Sequence, residues 1–381
     1  MIYDDKFLYS PALRLKKGEE NGINRLAPDI ADHVRPRLVI SPPKERDPEK
    51  QRLLTKDEIV YGTGRRIASC WPFRIAYLEP RFLFSDFGEA ESIEWLPRMF
   101  KVARDNDAKV IPVAAANEIL GPSGVAFKES IDRSAKTKFC LRVESGEIDR
   151  ELNGKIHAVM NALGLSPDQC SVIADFCDAD FSEPELVSAI AQAALEALQE
   201  SGRWQHIIFQ GTNYPEVNPA APDNTYTVAR NEWMAWKRAI RFDKNTSEHL
   251  IFGDYGADCA KFNFQSSGGG RPIRHYRYTT PDSWLVVRGG TEGKDLEAMK
   301  SVSGNILASG QFAGRTFSSA DDYIFMTAKG WDGPGSPSTW REINTTHHIT
   351  RVVRDIGAVK EFVFEDVTVS ELFEQMDMLK S

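Results

Sequence analysis

Several charged residues in this chain sit inside or directly after short apolar runs, where an ionised side chain needs a reason to be. Arg142 lies between Leu141 and Val143. A buried guanidinium without a partner is very costly, so Arg142 must face either a carboxylate of the same protein or an anionic ligand. Asp175 closes the run Val172-Ile173-Ala174. A carboxylate at that position can bind a metal, act as an acid or base, or pair with Arg142. Asp254 and Tyr255 stand between Gly253 and Gly256, and glycines there allow a tight turn or a close backbone approach to a ligand. Asp254 is therefore either an acid/base residue or an acceptor of backbone N–H bonds in a turn. Lys16 directly follows the first apolar run and is followed by Lys17-Gly18-Glu19. Lys16 and Glu19 either line an opening or form a solvated turn. Another run ends in Glu79-Pro80-Arg81.

The last third of the chain adds cations beside aromatic rings: Arg277-Tyr278, and Trp284 with Arg288. Arginine suits planar recognition of phosphate or carboxylate and stacks on rings; ordinary hairpin chemistry is the alternative. The segment Trp340 to Val353 reads as a loop entering a helix, with Thr345 or Thr346 as the N-cap. It carries Arg341, His347 and His348. Adjacent histidines diverge on a helix, so one at most faces a given site. Close to a helix N-terminus the protonated form is disfavoured, which suits a neutral base, with a structural histidine as the rival reading. The phosphate-binding loop, HExxH, GxSxG and the dinucleotide glycine fingerprint are all absent.

Composition narrows the classes. A net charge of −8 disfavours broad nucleic-acid binding, though not a local basic pocket. Five cysteines, an odd number with no CxxC pair, read as reduced thiols packed as small hydrophobes, without a zinc site. Met1 to Lys6 lacks the apolar core of a signal peptide, and no apolar run is long enough to span a bilayer. A cytoplasmic protein without a membrane partner is expected.

Positioning these residues requires strands. Apolar runs occur at Tyr9–Leu15, Arg37–Ile40, Arg74–Leu78, Lys109–Ala114, Lys138–Val143, Ser171–Phe176, His206–Phe209 and His249–Phe252. Most are followed by helix-length patterns. One carries Ile93, Leu96, Phe100 and Val102. Another ends at Leu163 with Gly164 as its C-cap. A third, Glu183 to Glu200, places Leu186, Ile190 and Leu198 on one face, and a fourth bears Trp233, Trp236 and Ile240. Eight β–α units predict an α/β fold, a (β/α)8 TIM-like barrel over residues 1–262, with a doubly wound open sheet as the rival. Beyond it, Arg274–Thr279 and Ser283–Arg288 read as a hairpin around Pro281-Asp282, followed by a helix from Gly293 to Ser309. After a loop from Lys329 to Ser338, a last helix is expected at Val367–Leu379. Gly268-Gly269-Gly270 reads as a flexible linker, and Lys44 to Glu58 as an exposed charged stretch. Residues 263–381 are predicted to be an elaboration packed on the barrel mouth within the same domain.

The landmarks Leu13-Arg14-Leu15-Lys16, Ile40-Ser41-Pro42-Pro43, Leu141-Arg142-Val143, Ala174-Asp175-Phe176, Phe252-Gly253-Asp254-Tyr255-Gly256, Trp284…Arg288-Gly289 and His347-His348-Ile349-Thr350 run from end to end. In this order they resemble the "beta family protein" group, a T-even-phage-type family. The resemblance implies a mobile-element or antiviral-defence setting. It singles out Lys16, Glu19, Arg142, Asp175, Asp254, Arg277, Arg288 and His348. Where the family pattern has Gly-Asp after Phe317-Ser318, this chain has Ser319-Ala320-Asp321-Asp322, so no role is carried over to Asp321 or Asp322. The expectation is a pocket for a small anionic ligand, a nucleotide or phosphate ester. Lys16, Glu19, Arg142, Tyr255, Arg277, Arg288, Arg341 and His347 would bind it. Asp175, Asp254 and His348 would be the acid/base groups of a phosphoester hydrolase. A divalent metal is compatible with the carboxylates but not required. The alternative is a non-catalytic sensor or protein-binding module serving a partner encoded nearby.

Overall fold

The computed structural model describes residues 6–43, 54–242, 250–262, 272–359 and 364. The chain divides into two compact units. Met1–Lys16, Val34–Glu216 and Arg230–Ser267 belong to the first; Lys17–His33, Val217–Ala229 and Gly268–Ser381 belong to the second.

The first unit is built on parallel strands β1 (Ala12–Arg14), β2 (Arg37–Val39), β3 (Ile75–Glu79), β4 (Lys109–Ala115), β5 (Phe139–Glu144), β6 (Cys170–Asp175), β7 (His206–Gln210) and β9 (Leu250–Gly253); β8 (Asn224–Ala229) belongs to the second unit. The eight are hydrogen-bonded in that order. The ring closes where Ser10 N–H donates to Phe252 C=O at 2.9 Å and Ala12 N–H to Asp254 C=O at 2.7 Å. Each of the eight apolar runs is one of these strands, and closure excludes the open sheet.

Parallel neighbours require crossovers. Helix α1 (Lys17–Asn24) follows β1 and lies in the second unit. Helices α2 (Lys56–Cys70), α3 (Ser92–Asp105), α4 (Leu152–Leu163), α5 (Pro184–Ser201) and α6 (Asn231–Phe242) belong to the first. Thr55 caps α2 through a reciprocal pair: its hydroxyl accepts from Glu58 N–H at 3.3 Å and its N–H donates to the Glu58 carboxylate at 2.9 Å. In α3 the buried stripe is Trp95, Leu96, Met99, Phe100 and Ala103, a helical spacing that fixes its inner face; Ile93 is exposed. Gly164 ends α4 in the left-handed conformation at φ 65°. The face expected for α5 is corrected. Leu186 and Ile190 point to solvent, and the buried stripe is Val187, Ala191, Ala194, Leu195 and Leu198. The inner face mixes two alanines with Val187, Leu195 and Leu198, so Leu198 lies on it as expected while Leu186 and Ile190 do not.

In the second unit β10 (His275–Thr279) and β11 (Ser283–Arg288) form the expected antiparallel hairpin, and β8 adds to β11 as a third strand. Helices α7 (Asp295–Ala308), α8 (Ser319–Lys329) and α9 (Pro337–Val359) complete it. Its core holds Tyr276, Tyr278, Val287, Met299, Val302 and Ile306. Neither β8 nor α8 was expected from the sequence; β8 is almost wholly exposed and so has no apolar alternation to detect. Trp340 to Val353 is not a loop entering a helix, because α9 is continuous from Pro337, a residue preorganised for a first helical turn. Thr345 and Thr346 are therefore not N-caps. Their hydroxyls donate back to the carbonyls of Arg341 (2.9 Å) and Glu342 (3.0 Å) inside the helix.

Residues 1–5, the charged positions 44–53, the Gly268–Gly270 linker and the expected helix at Val367–Leu379 lie outside the described residues. No helix among the described residues is long and apolar enough to cross a membrane.

The closing seam leaves no room at β9: a Cβ on Gly253 would lie 2.8 Å from both the Phe209 and the Ser10 carbonyl oxygens. Gly253→Ala is expected to destabilise the barrel by about 1–3 kcal/mol, the usual cost of overpacking against backbone, read as a lower urea midpoint with an unchanged slope.

Candidate functional site at the barrel mouth

Strand periodicity determines what the barrel contains. Alternate residues share a face, so Tyr77, Cys140, Ile173 and Ile208, which form an apolar cluster, lie two positions before Glu79, Arg142, Asp175 and Gln210. The polar four sit one layer nearer the strands' C-terminal ends, where barrel sites are built. All four are buried.

Arg37, with no exposed surface, completes the layer. Its Nε donates to Glu79 Oε2 at 2.7 Å, and a terminal nitrogen contacts Asp175 Oδ2 at 3.1 Å. Arg142 approaches the same two acids, with Nε 3.2 Å from Glu79 Oε1 and a terminal nitrogen 3.6 Å from Asp175 Oδ2. It also reaches outward to Glu144 at 2.5 Å. Arg81 lies 3.3 Å from Glu79 Oε1 and 4.0 Å from Glu144. The Tyr255 hydroxyl donates to Asp175 Oδ1. Exposure rises outward: Arg37 and Glu79 are at 0%, Arg81 at 25% and Glu144 at 39%.

The network sets its own charge states. Burial alone would raise Glu79, but Arg37, Arg81 and Arg142 outweigh it and hold the carboxyl down at about 2. Burial opposes the charge on Arg142, yet Glu79 and Asp175 more than offset it, and its proton is held more tightly than usual. Burial and then the Asp175 charge push the Tyr255 phenol well above its ordinary value.

Glu118, just past β4, behaves in the opposite way. It accepts from Ala115 N–H at 2.6 Å, yet desolvation, aided by the Glu79 charge, raises its carboxyl to about 7. A half-buried carboxyl titrating near neutrality beside two arginines is suited to acid/base work.

Asp254 takes the turn role. It is fully buried, and its carboxylate accepts from the Tyr9 hydroxyl and, at 2.8 Å, from Gly256 N–H. The Gln210 side chain donates to the Asp254 carbonyl and also faces Arg37 at 3.5 Å. Asp254 thus joins the edge of the same network. Lys16 is half-buried just beyond β1.

Glu144, Cys177 and Asp178 bring potential ligand atoms within 4.8 Å of one another. Burial, then the charges of Asp175 and Glu144, push the Cys177 thiol up to about 12. Metal ligation needs the thiolate, so an ion held there would have to displace the thiol proton.

The remaining candidates lie in the second unit, where they have structural partners. His347 has acceptors at both ring nitrogens, Asp321 Oδ2 at 3.0 Å and the Thr279 carbonyl at 2.8 Å, and stacks on Tyr278. Neither nitrogen is left to take a proton from a substrate. His348 Nδ1 meets the Thr279 hydroxyl at 2.8 Å and is fully buried. Both lie well inside α9, so the helix-terminus argument does not apply to them. Arg288 donates to the Ala220 carbonyl at 2.9 Å, Arg277 to a ring nitrogen of His275 at 3.2 Å, and Arg341 lies 3.9 Å from Glu19. Asp321 also accepts from Tyr278 at 2.6 Å.

Of the residues singled out from the sequence, the structure places Arg142, Asp175, Asp254 and Tyr255 at one barrel end. The sequence reading noted Glu79 and Arg81 at the end of their run without giving them a role, and did not single out Arg37 or Glu118. The available signal was that Glu79 and Arg81 end β3 and Arg37 opens β2.

These features define a closed (β/α)8 barrel whose mouth is occupied by a buried arginine–carboxylate layer. The family model described as Beta protein matches residues 9–354, and the chain belongs to that family. No curated protein and no solved structure matches it.

Two outcomes follow from the site. Glu118 has its folded value above the ordinary 4.5, so the native state binds more protons than the unfolded state between about 4.5 and 7, and stability falls as pH rises through that window. Glu118→Gln should remove this fall, with urea midpoints measured at pH 5 and 8 converging. Asp321→Asn weakens the acceptor shared by His347 and Tyr278 and is expected to cost about 1–3 kcal/mol by the same measurement.

Proposed function

We propose that the barrel unit binds a small anion, a phosphate ester or nucleotide, at the C-terminal ends of β3 to β6. The observation that carries this is the outward gradient in the charge layer. Arg81 and Arg142 share Glu144 as their outermost anion, and Glu144 is the most exposed member. Glu144 serves as a placeholder: a ligand phosphate can replace it on both guanidiniums without unpairing the buried Arg37, Glu79 and Asp175. Arginine pairs present the fork geometry that phosphate recognition uses.

Catalysis is the second reading, and Glu118 favours it. Asp175 and Asp254 are spent as buried acceptors, whereas Glu118 is half-buried and titrates near 7. Hydrolysis of a bound phosphate ester would use Glu118 as the acid/base group in place of the two aspartates. Without turnover, the same pocket serves a sensor, in keeping with the defence or mobile-element setting that the family resemblance suggests.

Native mass spectrometry of the purified full chain should reveal a bound anion. Titration calorimetry with a nucleoside monophosphate should show Arg81→Ala weakening affinity by about 10–100-fold, the worth of one charge-assisted hydrogen bond. Glu144→Gln should tighten it. Affinities indifferent to both substitutions would exclude this site.

A further inference from the structure

A (β/α)8 barrel ordinarily fills its N-terminal end with side chains and receives ligands at the other end. The base of this barrel is hollow. A cavity of about 520 Å³ opens where β2, β3, β4, β5 and β7 begin, within the range of small-molecule sites, roughly 300–1,000 Å³.

The layer of residues at the base explains the space. Two positions before Tyr77, Ile173 and Ile208 stand Ile75, Ser171 and His206, two of them polar and one very small. His206 is held in place: Nδ1 meets Ser171 Oγ at 3.2 Å, and Ser171 Oγ meets the Tyr77 hydroxyl at 3.1 Å. Its ring packs edge-on against Phe7 at 5.0 Å. A ring anchored in this way cannot swing down to fill the void.

The rim is built from strained backbone. Phe73 (φ 61°) and Asp107 (φ 67°) both adopt the left-handed conformation, which non-glycine residues rarely take. They are joined by a hydrogen bond from Phe73 N–H to Asp107 C=O at 3.0 Å. The arrangement leaves the Phe73 ring 65% exposed beside the opening. Strain of this kind gathers at ligand clamps.

The lining is amphipathic. Ile75, Val110, Ile111 and Ala135 provide an apolar wall, while Arg35, Arg104, Lys109 and Lys136 outnumber Asp107 and Asp132. Asp132 is partly committed, since it accepts from the Ser134 N–H and hydroxyl at 2.9 and 2.7 Å. Arg104 is held at the end of α3 by a bond to the Ser130 carbonyl at 2.9 Å. This is a local excess of cations in a chain of net charge −8, so it opposes the protein's overall field instead of following it.

We propose that this base cavity binds a compact organic anion, with one carboxylate, sulfonate or phosphate head on an aromatic or branched apolar body. The head lies among Arg104, Lys109 and Lys136, and the body lies against Ile75 and Ile111 under the Phe73 ring. The site is independent of the mouth and does not rest on the proposal made for it.

Anilinonaphthalene sulfonate, an anionic aromatic dye that brightens in apolar surroundings, probes the cavity in the full-length protein. One saturable site is expected. Lys109→Glu, at an exposed position, and Ile75→Trp, which fills the cavity, should each weaken binding by about tenfold or more. Arg81→Ala, at the other end of the barrel, should leave it unchanged. The uncharged parent amine should bind about tenfold more weakly. Absence of saturable binding overturns the proposal. So does binding that Lys109→Glu leaves intact in a natively folded protein, or a neutral amine that binds as tightly as the dye. If Ile75→Trp does not fold, Lys109→Glu alone decides the same point, because it reverses a charge at an exposed residue.

Discussion

Taking an ion out of water into a protein interior costs several kcal/mol even after the surroundings relax, and this barrel carries Arg37, Glu79, Arg142 and Asp175 in a single buried layer. The cost is offset only because every charge touches an opposite one, and the strands enforce those contacts. Arg37 reaches Glu79 from the adjacent strand β2, and Asp175 from across the barrel. The register that closes the barrel therefore also neutralises its contents. A slip of one residue in any of these strands would turn its charged residue out of the barrel. The ion layer thereby favours the observed register over its neighbours.

The same layer limits what the mouth can do. A carboxylate locked between guanidiniums at a value near 2 is a poor base, so Glu79 positions cations and does not exchange protons. Asp175 and Asp254 are similarly engaged as acceptors. Only groups at the outer edge remain adjustable: Glu144 by its exposure and Glu118 by its desolvated carboxyl. Interior members are held by one another, and outer members are the ones that meet solvent.

The barrel was legible because its signal is redundant: eight apolar runs separated by helix-length segments, each run short and strongly apolar. The second unit was less so. Strand β8 is exposed along its length, and α9 begins at Pro337, ahead of the segment whose threonines resemble caps. In α5 large apolar residues stand on both sides, Leu195 and Leu198 inside and Leu186 and Ile190 outside, so apolarity alone does not mark the inner face. The site was half legible. Arg142 and Asp175 stand out because apolar neighbours surround them. Arg37 sits behind Pro36 at the start of a three-residue strand and Glu79 precedes Pro80, so both read as strand ends. Which charge faces which is a property of barrel closure, and no local pattern encodes it. His347 shows the converse: it has the chemistry of a base, but Asp321 and Thr279 occupy both its nitrogens, and only tertiary structure shows this.

The two ends of the barrel interior make an instructive contrast. At the mouth, opposite charges are packed against one another, and an anion can enter only by replacing one already present. At the base, Arg104, Lys109 and Lys136 border open volume alongside Asp107 and Asp132, so cations outnumber carboxylates there. The middle layer of Tyr77, Cys140, Ile173 and Ile208 separates the two ends and is fully apolar except for the Tyr77 hydroxyl, which points to Ser171 at the base. This layer keeps the two charged regions apart in space, while its Tyr77 and Cys140 feel charges on either side: Arg35 at the base and Arg37 and Glu79 at the mouth.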